Sequence, residues 1–438
     1  MLSALLFCSG CTASTGDGLL ALPKLPGEYV MLQKKLDEIE AMGAKLVTAD
    51  SGPNRQAVQL IDLDGNGDEE AVSFFHHTNG RYTAHVFART EKGYEERASF
   101  GTEASSLRAV NYPVCDVSGK LAIAMSWGVD DAGSYGMTVF DAAAEGMTEL
   151  LDVQYSGLII ADIDGDTVDE ISIVTRDGAT GAYAFRMYAY RGNTYKLICE
   201  APLCAEVKTV GRMKVGKTEN GGTQICIDSM SVNGGYVTDL ISISGSRAVN
   251  ETIDEASHSG ILTWRPASVF STDIDGDGIL EVPTSAVRES QGESQGSDLR
   301  NKLIWKHFKG GEEVGQVATT YHSVSEEWYI NWPGRWENVV NVSRYSSSGI
   351  SVTTFYLTET AEAPHEGKRN ELLSIYVFSG ESRTNSIGGS IKILRQTSTK
   401  TYGYSLFDIR SERGLTDTEV TELFHTIDKE WNSGGYIQ

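Results

Sequence analysis

A nine-residue acidic loop occurs three times in this chain, and it constrains the fold more than any other feature. The copies are Asp62 to Glu70 (DLDGNGDEE), Asp162 to Glu170 (DIDGDTVDE) and Asp273 to Glu281 (DIDGDGILE). In every copy, positions 1, 3 and 5 are Asp or Asn, position 4 is Gly and position 9 is Glu. Strand-forming residues follow the first two loops, in AVSFF after Glu70 and ISIV after Glu170. The loop is therefore predicted to lead into a β-strand.

The residue types of the loop predict a calcium site. Calcium takes about six to eight oxygen ligands, and a tight loop can deliver alternate side chains to one point. Position 7 differs chemically among the copies, which a main-chain carbonyl ligand permits, and the apolar position 2 is expected to point into the core. The predicted calcium ligands are Asp62, Asp64, Asn66, Asp68 and Glu70 in loop one; Asp162, Asp164, Asp166, Val168 and Glu170 in loop two; and Asp273, Asp275, Asp277, Ile279 and Glu281 in loop three.

The residues after each loop exclude an EF-hand, which needs a Glu at position 12 and an exiting helix. Position 12 is Ser73, Ile173 or Thr284. A single copy would fit an acidic surface turn equally well, but three copies with the same ligand positions favour metal binding. Loop two has Thr167 where the others have Gly, and a β-branched residue resists positive φ. Site two is therefore predicted to be the weakest.

The spacing of the loops predicts a repeat. They are 100 residues (62 to 162) and 111 residues (162 to 273) apart, about two units of the ~50 residues in a four-stranded propeller blade. Cys115 to Met125 and Thr223 to Ile243 are interpreted as degenerate copies in the intervening units. The loops resemble those of calcium-binding β-propeller repeats of integrin α-subunits and bacterial surface proteins, the FG-GAP and VCBS families. This resemblance implies a mainly β fold with a propeller of about five to seven blades.

The first residues, MLSALLFCSGCT, form a short apolar run that ends in small residues and Cys11. They resemble a bacterial lipoprotein signal, which implies lipidation of Cys11 and an extracytoplasmic protein anchored to the bacterial cell membrane. Residues 1–28 are predicted to be signal and tether. A disordered tail or a redox Cys-x-x-Cys pair are the alternatives.

The predicted propeller covers residues 29–324 and includes a helix from Tyr29 to Met42, ended by Gly43. A small α+β domain is expected over 325–438, with strands at Val339–Val342, Ile350–Leu357, Leu372–Phe378, Ser390–Leu394 and Tyr402–Phe407. Its final helix is predicted to begin at a capping box of Thr416 and Glu419, with Leu415 packed on Val420. The apolar face of this helix is predicted to continue through Ile427 to Trp431.

The aromatic residues Trp328, Tyr329, Trp332 and Trp336 have two interpretations, a sugar-stacking surface or a buried domain junction. Cys115, Cys199, Cys204 and Cys226 show no zinc spacing, and a Cys199–Cys204 disulfide and buried free thiols both stay open.

The functional prediction is a non-enzymatic binding module for a surface protein or glycan. No phosphate loop, nucleophile elbow or dinucleotide motif is present. The net charge of −23 argues against a nucleic-acid partner. The alternative is a hydrolase acting on extracellular polysaccharide or cell wall.

Overall fold

The chain folds into six antiparallel sheets that follow one another in sequence. The computed structural model describes residues 27–91, 93–129, 133–142, 146–218, 221–254, 256–286, 298–358, 370–383, 390–407 and 411–427. Within each sheet, most strands that are neighbours in sequence pair with each other, as short alternating segments joined by tight turns do. Successive small antiparallel sheets are the blades of a β-propeller architecture. The predicted mainly β, propeller-type fold is confirmed.

The strands of the first three sheets are bounded as follows. Sheet one has β1 (Ala44–Val47), β2 (Val58–Ile61), β3 (Glu70–His77), β4 (Arg81–Thr90) and β5 (Gly93–Glu103). Sheet two has β6 (Leu107–Asn111), β7 (Ile123–Gly128), β8 (Tyr135–Asp141) and β9 (Thr148–Tyr155). Sheet three has β10 (Gly157–Ala161), β11 (Glu170–Arg176), β12 (Tyr183–Tyr190) and β13 (Tyr195–Pro202).

Sheets four, five and six follow in the same order along the chain. Sheet four has β14 (Val207–Lys217), β15 (Thr223–Ser231), β16 (Tyr236–Ser244) and β17 (Arg247–Asn250). Sheet five has β18 (Val282–Ser285), β19 (Lys302–Lys309), β20 (Glu312–Ser323) and β21 (Trp328–Asn331), and a short C-terminal strand, β27 (Phe424–Thr426), is its fifth. Sheet six has β22 (Val340–Ser347), β23 (Ile350–Leu357), β24 (Glu371–Ser379), β25 (Lys392–Gln396) and β26 (Lys400–Leu406). Short 3₁₀ helices lie at Ile261–Thr263, Leu299–Asn301, Val324–Glu326, Gly334–Trp336 and Gly380–Arg383.

Consecutive sheets share hydrophobic cores. Buried residues from each sheet meet those of the next, such as Phe74 with Ile123, Val139 with Ile173, Phe185 with Ile227, Leu240 with Val282, and Tyr321 with Phe355. Within the described ranges, no such core joins sheet six to sheet one.

The predicted N-terminal helix is confirmed as α1 (Gly27–Ala41). Its apolar residues Leu32, Leu36 and Ile39 are buried against Phe75 and Phe87 of sheet one. Gly43, with φ of 91°, ends the helix in a conformation that favours glycine. The helix therefore covers the face of sheet one that points away from sheet two.

The C-terminal helix is shorter than the sequence indicates. Helix α2 (Asp417–Leu423) begins at the predicted capping box, with both reciprocal hydrogen bonds between Thr416 and Glu419. The helical continuation through Ile427 is wrong, because β27 (Phe424–Thr426) pairs with β21. The free edge of β21 offers hydrogen bonds that an isolated last helical turn does not. Trp431 lies outside the described residues.

The tail otherwise follows its prediction. The five predicted strands correspond to β22 through β26, and Leu415 and Val420 are buried in one core. The predicted boundary at 324/325 lies inside sheet five, because β20 pairs with β21 across it. Trp328, Trp332 and Trp336 are buried between sheets five and six, which supports the junction interpretation. In the described part of the chain, no helix is long and apolar enough to cross a membrane.

Candidate metal centres

The three acidic loops have the same local fold. Each lies between two antiparallel segments of sheet one, three or five, so sheets with a loop alternate with sheets without one, as the spacing predicted. The exits are strands β3, β11 and β18, which confirms that no EF-hand helix follows. The alternation also confirms that one loop spacing corresponds to two sheets.

The first Asp of each loop organises the turn. Asp62 Oδ1 accepts hydrogen bonds from the main-chain N of Gly65 at 2.8 Å and of Asn66 at 3.1 Å, and Oδ2 accepts one from Gly67 N at 2.9 Å. Asp162 and Asp273 accept the equivalent bonds at 2.6–3.1 Å. Such bonds replace a regular ladder with a tight side-chain-supported turn.

The Glu at position 9 closes the loop from the other side. Glu70 Oε2 accepts from Leu63 N at 2.9 Å, and Glu170 and Glu281 accept from Ile163 N and Ile274 N at the same distance. The three glutamates are at most 2% exposed. A buried carboxylate needs such partners because burial penalises its charged form.

Positions 1, 3 and 9 converge in every loop. The converging sets are Asp62, Asp64 and Glu70; Asp162, Asp164 and Glu170; and Asp273, Asp275 and Glu281, and within each set the ligand oxygens lie within 4.8 Å of one another. Position 5 supports the turn: the side chains of Asn66, Asp166 and Asp277 accept from the N of position 7 at 2.7–2.8 Å. Their role as calcium ligands stays a prediction. The carbonyl ligands of Asp68, Val168 and Ile279 stay predictions.

This donor set fits a hard divalent cation. All converging atoms are carboxylate oxygens, which calcium prefers, and no thiol or imidazole belongs to any of the three sets. Burial also disfavours the charged form of the glutamate in each set. Burial raises the pKa of Glu170 to about 7, with the nearby Asp164 and Asp166 adding to the effect. Burial likewise raises the pKa values of Glu70 and Glu281.

The loops lie beside the turns of the neighbouring sheets. Leu121 N of sheet two donates to Leu63 O of loop one at 2.9 Å. Val114 N donates to Asp169 Oδ2 of loop two at 2.8 Å, and Thr223 Oγ1 of sheet four donates to Ile163 O at 2.8 Å. Lys217 of sheet four forms a bridge with Ile279 of loop three. Each loop therefore helps to connect adjacent sheets, and position 2 is buried in loops one and two as predicted.

Thr167 has the strained backbone that its position implies. Its φ is 74°, against 90° for Gly67 and 88° for Gly278. A left-handed conformation costs a non-glycine residue about 1–2 kcal/mol. The ranking of site two as the weakest calcium site stays a prediction. The charges of side chains around each loop also affect its calcium affinity.

Several residues outside the ligand pattern also hold these loops in place, Asp169 and Arg97 among them. Asp169, at position 8, ties loop two to sheet two through Val114, as described above. Arg97 of β5 lies 3.3 Å from Asp64 Oδ2 and 3.6 Å from Glu70 Oε1, measured from Nη1. Asp169 lies within the repeat, but the shared ligand positions do not include it. Arg97 lies outside the repeat, and no sequence pattern pointed to it.

The cysteines form no centre among the described residues. Cys115, Cys199, Cys204 and Cys226 are free and buried, so the disulfide alternative is not what the structure shows. Burial raises the pKa of the Cys115 thiol to about 11, which leaves it protonated and unreactive.

The described surface has grooves, one of which lies beside an acidic loop. A cleft of about 740 Å³ beside loop three is lined by Asp275, Gln316, Thr319, Asn331, Trp332 and Glu337, among others. A groove of about 540 Å³ between sheets one and two is lined by Glu103, Trp127, Thr138, Glu149, Asp152 and Gln154, among others. Trp127 is 4% exposed and Trp332 is 6% exposed, so neither ring offers an open face for stacking.

The fold and the loops define a propeller-type β protein whose alternate sheets each carry an oxygen-rich candidate cation site. No family model matches the sequence, and no curated protein sequence is similar enough to count as a match. Among solved structures, the chain is similar to a Bacillus licheniformis rhamnogalacturonan lyase, at 11% identity and a TM-score of 0.32, over 85% of this chain and 92% of that one.

Two further structures show the same level of similarity. The β-propeller domain of a protease from Pyrococcus furiosus has 12% identity and a TM-score of 0.27, over 74% of this chain and 94% of that one. An exo-β-1,3-galactanase from Phanerochaete chrysosporium has 9% identity and a TM-score of 0.27, over 87% and 91%. Values this low assign neither an activity nor a ligand to this chain.

Proposed function

We propose that this protein is a calcium-stabilised, non-enzymatic binding module, displayed outside the cell and anchored through a lipid on Cys11. The observation that supports it best is the threefold convergence of Asp, Asp and Glu oxygens at loops that connect neighbouring sheets. The lipid anchor is supported by the sequence alone, because Cys11 lies outside the described residues. The FG-GAP or VCBS relationship is likewise supported by the loop sequences alone.

Calcium has a structural role in this proposal. Its two positive charges offset most of the negative charge of three carboxylates gathered in one turn, which otherwise repel one another, and it fixes the loop between two strands. The carboxylates of positions 1 and 9 already accept main-chain hydrogen bonds, so their orientation is set before the ion arrives. Nothing in this arrangement requires the ion to contact a substrate.

Calcium is expected to raise the stability of the folded protein. Occupation of one loop at a free calcium concentration of 100 times its Kd adds about 2.7 kcal/mol to the free energy of unfolding. Thermal unfolding followed by circular dichroism, in calcium and in a chelator, measures this. Asp162→Asn is expected to remove part of the calcium-dependent shift.

Asp177→Asn is the matched control for that variant. Asp177 accepts main-chain hydrogen bonds in an exposed turn of the same sheet, from Ala179 N and Thr180 N, but it belongs to no converging carboxylate set. Melting temperatures that are equal in calcium and chelator for the unmodified protein would remove the calcium proposal.

The cleft beside loop three is the proposed ligand site, and a glycan is the proposed ligand. Its wall carries the amides of Gln316 and Asn331 and the hydroxyl of Thr319, groups that hydrogen-bond to sugar hydroxyls. Glu337 is held at this wall by Lys302, whose Nζ lies 2.8 Å from both carboxylate oxygens and 4.5 Å from the centre of the Trp332 ring. Polar positioning, rather than ring stacking, therefore recognises the ligand.

Simultaneous Gln316→Ala and Asn331→Ala substitutions are expected to weaken glycan binding by about 5- to 150-fold, since two hydrogen bonds contribute about 1–3 kcal/mol in total. Binding to immobilised glycans, then titration of the best one, measures the loss. Gln154→Ala, in the other groove, is the control. Undiminished binding by the double variant would exclude this cleft.

The hydrolase alternative has a weaker basis. Glycoside hydrolysis needs two carboxylates at a defined separation across the scissile bond. The groove between sheets one and two contains Glu103, Glu149 and Asp152, but its tryptophan is buried. Release of sugar fragments during the binding assay, lost in Glu149→Gln or Asp152→Asn, would favour this alternative over the binding module.

A further inference from the structure

The three acidic loops differ in the side chain that faces them. At loop one, Arg97 Nη1 lies 3.3 Å from Asp64 Oδ2 and 3.6 Å from Glu70 Oε1. These carboxylates belong to two of the three positions that converge in the loop. The guanidinium therefore places a permanent positive charge beside the oxygens that would hold a cation.

Arg97 occupies this place because of a β-bulge. Ala98 pairs with Val86 and Glu96 pairs with Phe87, which leaves Arg97 as the extra residue of β5. A bulge re-aims the side chain of its extra residue. The side chain is 17% exposed, and its Nε and Nη2 are buried without a hydrogen-bond partner. The ion pairs with loop one are thus its main polar contacts.

Sheets one, three and five share this bulge in the same register. One residue after the loop glutamate, Ala71 pairs with Phe87, Ile171 with Tyr188, and Val282 with Lys306. The second residue of each pair lies on the middle strand, and the strand on its other side (β5, β13 or β20) has a bulge at that residue. The extra residues are Arg97 in sheet one, Ile198 in sheet three and Val317 in sheet five. The position that carries a guanidinium in sheet one carries a hydrocarbon in the other two.

Loops two and three have no comparable cation. In the described part of the chain, no Lys, Arg or His side chain lies within 4 Å of a loop-two carboxylate. At loop three, His307 Nε2 lies 2.7 Å from Glu281 Oε1. It contacts one converging carboxylate rather than two, and an imidazole carries no permanent charge.

We propose that Arg97 is a built-in cation at loop one, so that this loop is held without metal while loops two and three take calcium. The inference rests on the proposed calcium binding of the other loops. It places loop one, not loop two, last in calcium affinity, because an ion entering loop one must displace or tolerate a fixed positive charge a few ångströms away. The strain at Thr167 is a smaller obstacle than that charge.

Reciprocal exchange of the bulged residues tests the proposal. The unmodified protein is expected to bind two calcium ions at saturation, Arg97→Ile three and Ile198→Arg one, as measured by calorimetric titration and by metal analysis after dialysis. Arg97→Met, which keeps an unbranched side chain of similar length, serves if Arg97→Ile does not fold. Arg186→Ile is the control, because Arg186 pairs with Glu200 on the exposed surface of sheet three.

The outcomes separate this proposal from calcium binding itself. Three ions on the unmodified protein, unchanged in Arg97→Ile, overturn the role of Arg97 and leave calcium binding supported. No ion on the unmodified protein and one on Arg97→Ile support the built-in cation and contradict calcium at loops two and three. No ion on any variant overturns both.

Discussion

Replacing Asp228 by alanine is expected to lower the free energy of unfolding by about 3–5 kcal/mol, because it leaves the Arg265 guanidinium buried without its counter-ion. Both side chains are fully buried, and Arg265 Nη2 lies 2.7 Å from Asp228 Oδ1. Urea denaturation followed by tryptophan fluorescence measures the loss.

The ion pair is costly to break because both side chains belong to one buried hydrogen-bond network. Asp228 also accepts hydrogen bonds from Thr238 Oγ1 at 2.6 Å and from Ser271 N at 3.0 Å. Arg265 donates from Nε to Val269 O at 2.5 Å, and from Nη1 to Thr238 Oγ1 at 2.9 Å. The network pins the long connection between sheets four and five, which has little regular structure of its own.

A double substitution separates the ion pair from its packing. Asp228→Ala with Arg265→Met is expected to recover much of the loss, since two removed charges leave none uncompensated. The exposed pair Arg186 and Glu200 is the control, and its removal is expected to cost about 0–1 kcal/mol. A cost below about 1 kcal/mol for Asp228→Ala would show that water reaches Arg265.

The features that the sequence predicted correctly are those decided by neighbours in the chain. The capping box of Thr416 and Glu419 and the positive φ of Gly43 each depend on a few consecutive residues. The loop geometry is equally local, since Asp62 organises its own turn through main-chain groups three to five residues ahead. The alternation of sheets followed from loop spacing, because a four-stranded meander needs a nearly fixed length of chain.

The features that the sequence could not supply depend on distant segments. Phe424 to Thr426 continue a helical pattern, but the free edge of β21, far earlier in the chain, pairs with them as β27. Arg97 is an ordinary strand residue until a bulge turns it towards loop one. Arg265 likewise shows its role only when Asp228, Thr238 and Ser271 meet around it.

In calcium-free solution, the protein is expected to lose about 3 kcal/mol of stability through Glu170 alone as the pH rises from about 4.5 to 7. Burial raises the pKa of Glu170 from 4.5 to about 7 in the folded state. Below pH 4.5 the carboxyl is protonated in both states, so it contributes no pH dependence there. Between the two pKa values the unfolded chain releases a proton that the folded chain retains. The penalty is complete above pH 7.

Glu170→Gln isolates this effect, because the amide cannot ionise. In chelator, the variant is expected to be about as stable as the unmodified protein at pH 4.5 and about 3 kcal/mol more stable at pH 8. With calcium at pH 8 the order reverses, since the ion compensates Glu170 but binds the amide poorly. Glu200→Gln, on the exposed surface of the same sheet, is the control. It is expected to have the stability of the unmodified protein in chelator and in calcium. Urea titrations at pH 4.5, 6 and 8 measure all three proteins. Parallel pH profiles for Glu170→Gln and the unmodified chain would contradict the prediction, because they would show that the pKa of Glu170 is the same in the folded and the unfolded chain.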